Sequence, residues 1–274
     1  MLRSFLKLVG ERAGRFNARS FQNKRGLCIA LSEERLRFPG GREVSLEKSE
    51  ALAAWRPAVD ALGRILPMHK GDTASVVLAD QFVRYALLPW SETLKTHEQW
   101  LAFARHRFTS IHGPVANDWE IKFAGTAPGG PRLACAVDRE LIDELVEQFS
   151  ANAVRLVSVQ PFLVAAFNQV KDGVMSGGGS CWLVVEEPGR LTLALFLRGV
   201  WVAIRSRRMD SGSDFAWRRV LPEILERESA FLGLEEPCTR VVVCAQGPFD
   251  EFEHESFRTD ALSYEDLAMH GGRS

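Results

Sequence analysis

Few residues of this chain stand in patterns that could carry chemistry. Two pairs of adjacent glutamates, Glu33-Glu34 and Glu186-Glu187, each follow a short apolar run and open a turn, with Ser32 before the first and Pro188-Gly189 after the second. Such a pair could bridge a Mg²⁺ ion, which prefers carboxylate oxygens. It is also ordinary composition for a solvated turn. Ser45-Leu46-Glu47-Lys48 has the spacing of a serine nucleophile and its lysine, but no Ser-Asp-Asn or Lys-Thr-Gly follows. It reads as a strand end running into a helix. His106 and His112 are too far apart to bring both imidazoles to one metal on a helix, and His69, His97, His254 and His270 have no Cys or His at ligand spacing. No Gly-x-x-x-x-Gly-Lys-Ser/Thr phosphate loop occurs. A two-metal nuclease needs several acids on its first and later strands; Leu27–Leu31 carries none, and only Asp80 ends the later one.

The bulk properties narrow the field further. The chain has 274 residues, 46% hydrophobic and 25% charged, which suits one large or two small globular domains. Its net charge of −1 gives no whole-chain field to attract nucleic acid, and nucleic acid is not expected as a partner. No run approaches the roughly 20 apolar residues of a membrane span. Met1–Val9 is too short and too interrupted for a signal peptide. Cys28, Cys135, Cys181, Cys238 and Cys244 are odd in number and scattered, as expected of reduced, buried thiols in the cytosol.

The elements follow from periodicity. In residues 1–25, Leu2, Phe5, Leu6, Val9, Ala13 and Phe16 recur at helical spacing, and seven basic residues, among them Arg3, Lys7 and Arg12, face one acid, Glu11. This is either a solvated arm or a basic amphipathic helix for an anionic membrane surface or a partner groove. Strands are expected at 26–31, 35–38 and 43–46, a helix within 47–66 interrupted or kinked at Pro57, and a strand at 73–79. A strand at 82–88, a helix at 95–110, a hairpin at 118–137, a helix capped by Asp138, a strand at 154–159 and a helix from Pro161 come next. Gly173, Gly177, Gly178 and Gly179 mark 171–180 as a linker, either a hinge between lobes or a surface loop. Strands at 181–185, 191–197 and 200–205, a helix at 214–233 and a strand at 240–244 then repeat the β-β-β-α-β order. Residues 248–274 read as peripheral. Two such units predict an α/β protein of duplicated ribonuclease-H-like (actin-like ATPase) fold. Its two lobes occupy 26–170 and a shortened 181–274, with a small inserted subdomain at about 91–137.

The residues also carry a resemblance. Val76–Trp90, the helix with Trp100, Leu133–Asp138 with its helix, and Arg155–Pro161 leading to Ala165–Asn168 resemble the type IV pilus assembly protein PilM and the cytoplasmic part of the type II secretion protein GspL. Order and spacing match over roughly 26–247. The resemblance implies a place at the cytoplasmic face of the bacterial inner membrane. It also implies a groove beside the inserted subdomain that takes a short cytoplasmic peptide from an inner-membrane assembly protein. Arg84, Tyr85, Trp90 and Trp100 are the candidate contacts there, with Arg3, Lys7 and Arg12 available for peripheral membrane contact.

Actin-like ATPases cradle phosphates in two glycine-bearing hairpins whose backbone N–H groups approach the oxygens. Here those hairpins hold Ser32, Glu33 and Glu34, and Glu186, Glu187 and Gly189; Pro188 lacks a donor. Carboxylates in that position repel a triphosphate. The expectation is therefore a non-catalytic scaffold with no cofactor, ATP being possible but not expected. The alternatives are a functional actin-like ATPase or a kinase of the sugar-kinase superfamily. The latter needs a catalytic Asp at the lobe junction, and none stands in a Gly-rich context near Ser176–Val185.

Overall fold

The structure, a computed structural model, describes residues 26–47, 53–125, 129–175, 179–209, 216–236, 238–245, 253–254 and 257–263. The first lobe begins with β1 (Gly26–Leu31), β2 (Arg35–Arg37), β3 (Glu43–Ser45), α1 (Arg56–Ile65) and β4 (Thr73–Leu78). An inserted unit follows, made of β5 (Val83–Leu88), α2 (His97–His112), β6 (Trp119–Gly125) and β7 (Arg132–Asp138). The lobe closes with α3 (Arg139–Ala151), β8 (Arg155–Pro161) and α4 (Phe162–Met175). Its sheet has the order β3-β2-β1-β4-β8, antiparallel through β1 and parallel from β1 to β8. The central β4 is almost wholly buried, as a parallel strand covered on both faces must be. Pro57 stands in the first turn of α1, where its missing N–H costs nothing, so it starts the helix and does not kink it.

The second lobe contains β9 (Cys181–Glu187), β10 (Arg190–Leu197), β11 (Val200–Arg208), α5 (Ala216–Phe231), β12 (Arg240–Ala245), β13 (Glu253–His254) and β14 (Phe257–Ser263). Its order, β11-β10-β9-β12-β14-β13, repeats the first five positions of the other sheet with the same directions. Here the C-terminal reading needs correction. Residues 257–263 are not peripheral: β14 pairs with β12 from Arg240↔Arg258 to Ala245↔Ser263 and completes a full lobe. Its sequence, with Arg258, Thr259 and Asp260, hides a strand that buries only part of one face.

Alternation along the strands divides the second sheet between two cores. Cys181, Leu183 and Val185 of β9 join the core of the first lobe, while Trp182 and Val184 join Trp217, Leu221 and Leu225 of α5. The bridge is α4. Its Phe167 ring lies 4.4 Å from Trp201 and 5.1 Å from Phe196 by centroid, so the lobes share one continuous apolar core. Helix α4 also runs to Met175 and takes up half of the expected 171–180 linker.

The inserted unit forms its own three-stranded sheet, β5-β7-β6, covered by α2 through Trp100, Ala104 and Phe108. Its first strand begins at Val83, earlier than position 91. Thr96 and Gln99 close α2 with a reciprocal capping box.

Candidate functional site

Two surfaces bring functional side chains together: the cleft between the lobes and a trough beside the inserted unit. The cleft is bounded by the ends of β1 and β4, the start of α4 and the β9–β10 turn. The first turn is held by Ser32, which accepts from the Arg35 N–H at 3.2 Å and donates to the Arg35 carbonyl at 2.9 Å, leaving Glu33 and Glu34 in solvent. The second pair behaves differently. Glu187 ends β9 and is 5% exposed, and both its carboxylate oxygens accept from the Asp80 N–H, at 3.1 and 2.9 Å. Pro188 and Gly189 form the turn, with Gly189 at φ 69°. The solvated-turn reading holds for Glu33-Glu34 and fails for Glu187.

Asp80 follows β4 and is 2% exposed. Its Oδ1 accepts from the Tyr85 hydroxyl at 2.6 Å and from the Leu163 N–H, in the first turn of α4, at 3.1 Å. Its Oδ2 has no hydrogen-bond partner, and the buried Thr192 hydroxyl stands near enough to help hold the charge. Burial raises the Asp80 pKa to about 6, against the bonds from Tyr85 and Leu163 and the nearby Arg190. Burial, then the Asp80 charge, pushes Glu187 well above the usual carboxylate range. Burial and the same charge push Tyr85 up. Two lobes thus meet through two buried acids that a proton stabilises. A small hollow beside Glu187, lined also by Leu31, Ser32 and Phe162, has about 10 Å³ of room for a water centre.

The other sequence-predicted contacts separate. Tyr85 is committed to Asp80, and Trp100 is buried in the core of the inserted unit, its indole donating to the Leu94 carbonyl at 3.0 Å. Trp90 is 43% exposed and lies 6.1 Å from Trp100, over whose ring the Arg132 guanidinium stands at 4.3 Å. The Arg84 guanidinium donates to the carbonyls of Gln81 and Val83, and burial followed by the Arg190 charge lowers its pKa. Arg3, Lys7 and Arg12 lie outside the described residues. On the second lobe, Arg205 and Arg207 of β11 reach Glu228 on α5 at 3.6 and 2.6 Å.

The trough lies between the inserted unit and α3 and encloses about 550 Å³. Val115 and Trp119 form one side, and Glu140, Asp143, Glu144 and Glu147 the other. Those acids fall at i, i+3, i+4 and i+7, one face of α3, opposite Leu141, Ile142, Leu145 and Phe149 in the core. Asp138 caps the helix by accepting from the Glu140 N–H at 3.0 Å and also accepts from the Trp55 indole at 3.2 Å. A second hollow of about 400 Å³ continues along α3 past Val146 to Ala151. Sequence reading found α3 by its apolar stripe and passed over the acidic one, though its spacing was visible.

No family model and no curated protein matches the chain. Among solved structures it is similar to the PilM-PilN type IV pilus biogenesis complex, at 12% identity and a TM-score of 0.60 over 81% of each chain. It is also similar to the cytoplasmic domain of EpsL, an inner membrane component of the type II secretion system of Vibrio cholerae. That likeness has 10% identity and a TM-score of 0.57 over 90% of this chain and 93% of that one. The fold is the actin-like one that the repeated strand order implies. Among the described residues no helix is long and apolar enough to cross a membrane.

Proposed function

We propose that this protein is a non-catalytic cytoplasmic adaptor of a pilus-like or type II secretion-like machine. It holds the cytoplasmic peptide of an inner-membrane partner in the trough between the inserted unit and α3. The observation that carries the reading is the Glu187–Asp80 contact: a carboxylate already receives the backbone N–H at the mouth of the lobe cleft. An incoming phosphate would meet these two buried acids. The likeness to the PilM-PilN complex and to an inner-membrane secretion component supports the assignment to such a machine. The chemistry of the trough supports the peptide. Segments beside membrane spans on the cytoplasmic side are rich in Lys and Arg, and the α3 wall presents four carboxylates to them.

The test is site-specific photocrosslinking in cells, with p-benzoylphenylalanine in place of Val115. The adaptor reading predicts one dominant adduct with an integral inner-membrane protein, mapped to its cytoplasmic segment and lost in Glu144→Lys/Glu147→Lys. An adduct pattern with no membrane protein contradicts it.

A further inference from the structure

We infer that the trough has an internal occupant, the basic arm formed by residues 1–25 of the same chain, which competes there with external basic peptides. The competition rests on the adaptor reading; the arm contact itself does not. Three features carry it. The first is shape with chemistry: the trough has an apolar wall, Val115 at 54% exposure with Trp119, facing the four acids of α3. An occupant must therefore be apolar on one side and cationic on the other. Residues 1–25 have both properties, an apolar series through Leu2, Phe5, Leu6 and Val9 and seven basic residues against one acid. The second is the charge pattern of the helix face. Glu140, Asp143, Glu144 and Glu147 place like charges at i,i+3 and i,i+4, a cost that cationic neighbours relieve, and Arg139 already lines the same trough. Arg56 reaches Glu140 at 2.6 Å, at one end of the row.

The third is position. The arm joins the fold at Gly26, which pairs with Thr73, itself paired with Arg155. Arg155 lies just beyond the end of α3 at Ala151, where the hollow along that helix finishes. The two strand spacings between β1 and β8 amount to about 10 Å. Twenty-five residues reach at least roughly 37 Å even at the short rise of a helix, against roughly 20 Å for α3. The arm is therefore long enough to reach the far end of the trough, where Val115 and Trp119 stand.

The experiment uses the full chain with p-benzoylphenylalanine in place of Phe5, made as a mixture of isotopically light and heavy protein. After irradiation at low salt, digestion and mass spectrometry locate the adduct. The expected result is a same-label adduct on Val115, Trp119 or the 139–151 segment. Its yield should fall at least about 5-fold in Glu144→Lys/Glu147→Lys and by a similar factor at high salt, where a Debye length near 3 Å screens the contact. Circular dichroism of the variant confirms that it is folded, and Arg12→Glu/Arg15→Glu gives the same loss without touching α3. Adducts elsewhere, mixed-label adducts from a second copy, or a yield indifferent to α3 charge each overturn the proposal. An arm that crosslinks only to anionic phosphatidylglycerol vesicles overturns it too and makes it a membrane anchor. A chain whose arm meets α3 but that captures no membrane protein through Val115 overturns the adaptor reading alone.

Discussion

Glu187 and Asp80 are adjacent acids that the fold buries, and burial outweighs the nearby Arg190 charge, so the cost is set by protonation. Both pKa values are raised, so the folded state binds more protons than the unfolded one. The stability the pair contributes is fully present below the ordinary carboxylate pKa and is lost as pH rises through the folded values, about 6 for Asp80. Glu187→Gln keeps an oxygen for the Asp80 N–H and removes one charge. Its stability relative to wild type should therefore increase between pH 5 and pH 7.5, as urea melts at the two pH values would show. Tyr85→Phe removes a donor from the buried Asp80 carboxylate. It should cost ~2 kcal/mol at pH 7.5 and less at pH 5, where Asp80 carries a proton. The sequence could not separate Glu33 from Glu187, because both follow an apolar run and open a turn. What differs is the neighbour supplied by the fold: solvent for Glu33, and the Asp80 amide 107 positions away for Glu187.

At the scale of elements, α4 couples the lobes, and its Phe167 packs against both Phe196 and Trp201. Phe167→Ala should cost about 3–5 kcal/mol in a chemical melt. It should also split the single transition into two, because the shared core is what makes the lobes cooperative. The edge of the second sheet depends on β14, and truncation before Phe257 would leave the β12 edge unpaired. Such a chain is expected in the insoluble fraction on expression. Most elements were legible because their patterns are strong. The two β-β-β-α-β runs show period-2 and 3.6 patterns with turn residues between them, and Asp138 stands where a cap must be. Strand β14 was not legible, since Arg258, Thr259 and Asp260 carry no apolar alternation and their pairing is decided by β12. Strand β5 was legible as a strand but not as part of the inserted sheet, a matter of long-range pairing with β7.

For the molecule as a whole, a duplicated actin-like frame carries a buried Glu187–Asp80 contact between its lobes and a trough lined mainly by acids. The frame explains the likeness to PilM and EpsL structures, and under the adaptor proposal the buried Glu187–Asp80 contact would keep ATP out of the cleft. The most direct measurement is isothermal titration of the full chain with Mg-ATP into the millimolar range, paired with thermal melts. The account predicts no binding heat and no change in melting temperature at pH 7.5. Binding at micromolar concentration, with a rise in melting temperature lost in Glu33→Arg, would mean that the cleft opens to phosphate and that a working nucleotide cycle survives.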